Sequence, residues 1–176
     1  MPDAALLKVA KSGQLNKSAQ LRSQVERMLK DSRASAFTEH FTGQWLRLRD
    51  IAFTEPDKKL FPEYDEALKH GMLEETRRFF DRVLKENRSL LEFVDADWTI
   101  LNDRLASHYG IDGVEGSGFR VVDLLEDSVR GGVLTQASVL KVTANGTNTS
   151  PVIRGVWILT NLLDEPPPPP PPGIPA

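Results

Sequence analysis

Residues 62–85, PEYDEALKHGMLEETRRFFDRVLK, decide the fold class. Leu68, Met72, Phe79, Phe80 and Val83 recur at steps that place them on one side of an α-helix. On the wet side, Glu74 precedes Arg78 and Asp81 precedes Lys85 by one helical turn, which adds favourable ion pairs. Pro62 suits the opening of this helix, where a missing amide donor costs nothing. Gly71 in its interior is unfavourable by ~1 kcal/mol relative to alanine, so close packing against another helix is expected there.

Similar stripes lie on either side. Phe37, Phe41, Trp45 and Leu48 form one. Trp98, Leu101, Leu105 and Tyr109 form another, with Asp97 as its expected N-cap and Gly110 as its stop. Shorter helices are predicted over Pro2–Ala10, from Ser18 through Leu21, Val25, Met28 and Leu29, over the LLEFV run after Ser89, and from Val133 to Val142. Ser150 followed by Pro151 is a strong helix start, and Val152, Val156, Trp157 and Leu159–Leu163 are expected to pack inward. Only Phe119–Val122 has strand character. The expected fold is mainly α and bundle-like, with at most a short β-hairpin near 119–123 and a C-terminal polyproline II tail. Prolines 166–172 lack amide donors and can join neither a helix ladder nor a central strand, so they read as a spacer.

Composition bounds the function. With 176 residues and 40% hydrophobic content the chain can build a core. Its 22 basic and 25 acidic residues leave a net charge of −3, with no electrostatic footprint for nucleic acid. The absence of cysteine rules out disulfides, thiolate metal sites, a thiol nucleophile and covalent haem attachment within this chain. No apolar run approaches the ~18 residues of a membrane span, and no leader pattern follows Met1. Asn16, Asn87, Asn145 and Asn148 fit the N-x-S/T pattern, whose chance rate is high.

No catalytic, cofactor or metal residues are assigned. Asp95, Asp97 and His108 are the first metal or acid–base candidates by residue type. If Asp97 caps a helix that ends near His108, ~11 residues of helix separate them by on the order of 16 Å, too far for one ion. The plainer reading is a cap and a helix-end histidine. His40 and His70 sit in ordinary helical runs. Ser117, between Gly116 and Gly118, lacks the wider nucleophile-elbow context. The densest polar segment is TANGTNT, residues 143–149. Asn145, Thr147, Asn148, Thr149 and Arg154 are therefore a candidate polar ligand site, against the plainer reading that Asn145–Gly146 forms a tight turn and the hydroxyls satisfy helix ends.

The ordered segments FTGQWLRLRDI (41–51), LFPEYDEAL (60–68), ETRRFF (75–80), DADWTILNDRLASHYGI (95–111) and GVLTQASVLKVTANGTNTSPVIRGVWILTNLLDEPPPPPPPGIP (132–175) resemble the adjoining domains of unknown function in large planctomycete-type cytochrome-c proteins, the PSCyt/PSD group. The resemblance covers nearly the whole chain. It implies a helical domain over residues 1–112, a second over 113–164 and a polyproline linker over 165–176. It also implies an exported, periplasmic or cell-surface parent protein whose haem c is attached in a neighbour after the linker, so that this chain reads as an internal fragment or a truncated gene product. The partners implied are the haem-bearing and other domains of that parent, with no nucleic acid and no membrane span; the oligomeric state is left open. Two functions follow from different classes. One is a scaffold or interaction module docking beside a haem domain. The other is part of a carbohydrate-active or redox enzyme, with Asp95, Asp97 or Asp103 completed by groups elsewhere.

Overall fold

The computed structural model describes residues 2–168. The described residues form helices α1 (Ala4–Lys11), α2 (Ser18–Leu29), α3 (Ser35–Trp45), α4 (Glu66–Lys85), α5 (Asp103–Tyr109), α6 (Ala137–Val142) and α7 (Pro151–Asn161), with strands β1 (Trp98–Leu101) and β2 (Arg120–Asp123). The protein is mainly α, as the apolar stripes predict. It divides into two compact units, Met1–Glu39 and His40–Ala176.

In the first unit Asp3, rather than Pro2, starts α1. Its Oδ1 accepts the Leu6 amide at 2.9 Å, and its two oxygens accept from the Arg27 guanidinium at 2.7 and 2.9 Å. The Arg27 bonds and then the Leu6 amide hold the Asp3 carboxyl down at about 2. Helix α2 begins at Ser18 itself, with Lys17 in the cap position, so Ser18 is the first helical residue and not the cap. Helix α3 runs across the division between the units. Phe37 and Phe41, expected in the core, are 48% and 41% exposed. Phe41 meets the Trp45 and Phe80 rings at 5.6 and 5.3 Å, so a helical stripe identifies the contacting face without fixing how fully it is buried.

In the second unit α4 is the central element. Its cap is Asp65, whose Oδ1 accepts the Leu68 amide at 2.7 Å, so the helix opens four residues after Pro62. It ends where Asn87 turns left-handed at φ 51°. Leu68, Met72, Phe79, Phe80 and Val83 are all buried, as their spacing predicts, and Gly71, Glu75 and Thr76 share that side. A methyl group on Gly71 would lie 3.6 Å from Leu105 Cβ and 3.7 Å from Asn102 Oδ1, which is ordinary contact. Gly71→Ala should therefore raise stability by roughly 0.5–1 kcal/mol, seen as a higher urea midpoint. A lower midpoint would show that α4 and α5 leave no room for a methyl group.

The segment expected to be one helix over Trp98–Tyr109 is a strand followed by a helix. All four residues of β1 are buried. Asn102, not Asp97, is the N-cap of α5, and its Oδ1 accepts the Leu105 amide at 3.0 Å. A short run buried on both faces has no period that separates strand from helix. The strand near Phe119 is present as β2, but its partner is not a hairpin neighbour. It pairs antiparallel with β1, from Trp98 opposite Asp123 to Leu101 opposite Arg120. Gly110, left-handed at φ 69°, ends α5 as predicted.

The predicted helix from Val133 is a single 3-10 turn, Val133–Thr135, before the short α6. Helix α7 starts as expected, with Ser150 Oγ accepting the Ile153 amide at 3.3 Å. Trp157 is buried, whereas Val152, Val156 and Leu163, expected to pack inward, are exposed. Trp45 Nε1 donates to Asn161 O at 2.7 Å and ties the end of α3 to the end of α7. Phe79 stacks on Trp98 at 4.3 Å, and the Arg82 guanidinium lies 4.5 Å from the same indole ring. Pro166–Pro168 are exposed and belong to no helix or strand, and residues 169–176 of the expected polyproline II tail lie outside the described residues.

Candidate ligand cavity

The loop between α6 and α7 is built by its own side chains. Asn145 Oδ1 accepts from Thr147 N, Thr147 Oγ1 and Asn148 N at 3.1, 3.2 and 2.8 Å, and Ala144 bridges to Thr149. Gly146 sits at φ +90°, and an added Cβ would lie 2.5 Å from Glu55 O. Its carbonyl accepts the Asp57 amide at 2.9 Å. The loop is therefore pressed onto the backbone at 55–57, a contact that only glycine allows.

The docked loop forms one wall of an open cavity of about 350 Å³. Of the candidate polar set, Asn148, Thr149 and Arg154 line it, while Asn145 and Thr147 are spent on the turn. Phe61, Met72, Ala137, Leu140 and Ala144 supply apolar wall. His108, Arg130 and Lys141 complete a basic set that sequence reasoning did not bring together. Among the described residues the lining contains no carboxylate and no serine.

Uncharged acceptors hold the cations. Arg154 Nε donates to Thr143 Oγ1 at 3.2 Å and its Nη2 to Thr149 Oγ1 at 2.8 Å. Arg130 Nη1 donates to Thr135 O at 3.0 Å, with the guanidinium 3.6 Å from the Tyr109 ring centroid. Lys141, 8% exposed, donates to Ile51 O, Thr54 O and Thr54 Oγ1 at 3.2, 2.5 and 2.9 Å. Burial, reinforced by the Lys69 charge, lowers the Lys141 pKa. Among the described residues none of these three cations has a carboxylate at ion-pair distance. Burial likewise lowers the His108 pKa, although Glu63 Oε1 lies 3.9 Å from its Nδ1.

Behind the cavity wall lies a buried carboxyl. Glu75 accepts from Thr99 Oγ1 at 2.6 Å and from Tyr109 OH at 2.5 Å, and Tyr109 OH accepts the Ala137 amide at 2.7 Å. One acid thus joins α4, β1, α5 and α6. Burial pushes Glu75 up to about 7 despite these bonds and the nearby Arg130 charge.

The other sequence candidates do not converge. Asp95 and Asp97 precede β1, and Asp103 follows it, so roughly 17 Å of extended chain separates Asp97 from Asn102. That is too far for Asp97 and Asp103 to act as a glycosidase pair, whose carboxyls stand ~5–9.5 Å apart. His40 Nδ1 faces Arg49 Nη2 at 3.1 Å, and the His70 ring meets Phe119 edge-on at 6.4 Å. Ser117 is exposed in its loop. Among the described residues no three His, Asp or Glu side chains gather as metal ligands, and no helix is long and apolar enough to cross a membrane.

Fold and site together define a mainly α-helical module with an apolar-walled, cation-lined cavity. The chain belongs to the PSD4 family, described as a protein of unknown function (DUF1592), which matches residues 1–111. Residues 130–176 match PSCyt3, also a protein of unknown function (DUF1588). These are two adjoining planctomycete cytochrome-c-associated domains of unknown function. Neither the curated proteins nor the solved structures contain a match.

Proposed function

We propose that this chain is a helical interaction module of a larger exported protein linked to c-type cytochrome, and that it docks beside a haem-bearing domain of its parent. The succession of two cytochrome-c-associated families along one chain supports this reading. An exposed apolar surface supplies the surface chemistry it needs. Leu90 and Leu91 are each 75% exposed, Leu125 78% and Val129 91%. Their two loops approach where Gly132 packs on the Phe93 and Val94 backbone. Apolar residues so exposed are costly to leave in water and favour a protein partner. In this reading the proline run after α7 spaces the haem domain from the module, and haem c belongs to that neighbour.

The test mixes the chain with the separately produced haem-bearing domain of its parent and follows binding by calorimetry. Saturable binding is expected, weakened roughly tenfold or more by Leu91→Asp combined with Val129→Asp. Absence of binding, or binding indifferent to both substitutions, would overturn the proposal.

A further inference from the structure

We propose that the cavity between α5, α6, the Asn145–Ser150 loop and the start of α7 binds a small organic carboxylate with an apolar body. The carboxylate faces Arg154 and Arg130, and the body lies against Phe61, Met72 and Leu140. This goes beyond the docking proposal and stands without it, since the cavity is lined by none of Leu90, Leu91, Leu125 and Val129.

Three observations carry it. First, the volume of about 350 Å³ lies within the range of small-ligand sites, ~300–1,000 Å³, and its wall is largely aliphatic and aromatic. A bare inorganic anion would leave that wall unused, and a sugar would strand its hydroxyls against it.

Second, the charge of the lining has one sign. Arg130, Lys141 and Arg154 contribute cations, and among the described residues no carboxylate lines the space. Glu63 faces His108, and Glu75, which feels the Arg130 charge, is bonded to Thr99 and Tyr109 inside the fold. Glu55 acts on Lys141 only as a weaker opposing charge. Cations set in a largely apolar wall without an ion-pair partner are costly, and an entering carboxylate offsets part of that cost.

Third, the donors are divided in use. The Lys141 ammonium spends its three hydrogens on Ile51 and Thr54, so it contributes charge without a hydrogen bond. Arg154 is oriented by Thr143 and Thr149 through Nε and Nη2, which leaves Nη1 to donate. Arg130 is oriented by Thr135 and the Tyr109 face through Nη1, which leaves Nε and Nη2. Guanidinium groups positioned in this way, each with hydrogens to spare, suit a planar carboxylate.

The test uses the full chain labelled with ¹³C at methionine methyls, titrated with 4-phenylbutyrate, its neutral amide and inorganic phosphate. Met72 lines the cavity, whereas Met28 is not one of its lining residues and serves as the internal control. The expected result is a saturable shift of the Met72 methyl with the acid, with the amide binding roughly tenfold or more weakly and phosphate leaving that methyl unmoved. Arg154→Gln should weaken the acid by a similar factor and leave the amide unchanged. Because Arg154 also holds Thr143 and Thr149, Leu140→Trp serves as a second variant. It fills the cavity with both arginines intact, and should abolish the shift while the melting curve stays cooperative. Equal binding of acid and amide, indifference to Arg154→Gln, equal response to phosphate, or no saturation by ~10 mM acid would each overturn the proposal.

Discussion

Gly132→Ala is expected to destabilise the second unit by about 4 kcal/mol or more, lowering its melting temperature by on the order of 10–20 °C. Gly132 sits at φ 62° and ψ −174°, a backbone region that essentially only glycine occupies. An added Cβ would lie 2.6 Å from Phe93 O and from Val94 C and O. Those atoms are backbone, so no side chain can swing aside, and the loop must lift from the segment leading into β1. Val133, 1% exposed, would leave the core with it. Gly118→Ala is the matched control: its position has no positive φ and nothing within 4 Å of an added methyl. Differential scanning calorimetry of both variants checks the expectation. Equal melting temperatures would mean that the 130–132 turn does not rest on the 93–96 backbone.

The second large effect concerns Glu75 and has a definite sign. Burial raises its folded-state pKa to about 7, against 4.5 for the free group. The folded state therefore binds more protons than the unfolded chain between these values, and stability falls as pH rises through this window. Above about pH 7 the ionised carboxylate costs on the order of 3 kcal/mol relative to its neutral form. Glu75→Gln imitates the protonated acid at nearly constant volume. The variant should match the native protein at pH 5 and exceed it by that order at pH 8, read from urea midpoints at each pH. Parallel pH profiles would show that Glu75 is ionised at no unusual cost.

What could be read in advance is local in origin. The buried side of α4, the Ser150–Pro151 start of α7 and the stop at Gly110 each depend on residues within a turn or two, so periodicity and capping chemistry expose them. The family is also legible, because long ordered segments carry it. Phe37 and Phe41 show the limit: their spacing is as regular as that of α4, yet no period says whether a face is covered. β1 shows another, since Trp98–Leu101 is buried on both faces and so carries no alternation, while the Asn102–Asp103 cap signal lay inside an apparently continuous helical stripe.

The cavity belongs to neither kind of signal. Arg130, Lys141 and Arg154 lie in a turn, a helix and a second helix, and in sequence each is an ordinary basic residue. They line one space because Gly146 docks on the backbone at 55–57 and because Glu75 fastens α4 to β1 and α5. Those contacts join residues far apart along the chain, and burial, which shifts Glu75 and Lys141 in opposite senses to the same end of favouring the neutral form, is a property of the assembled fold. Local chemistry in the chain fixed the helices and their ends; the space between them, and the charge left unpaired in it, arose only when the helices packed.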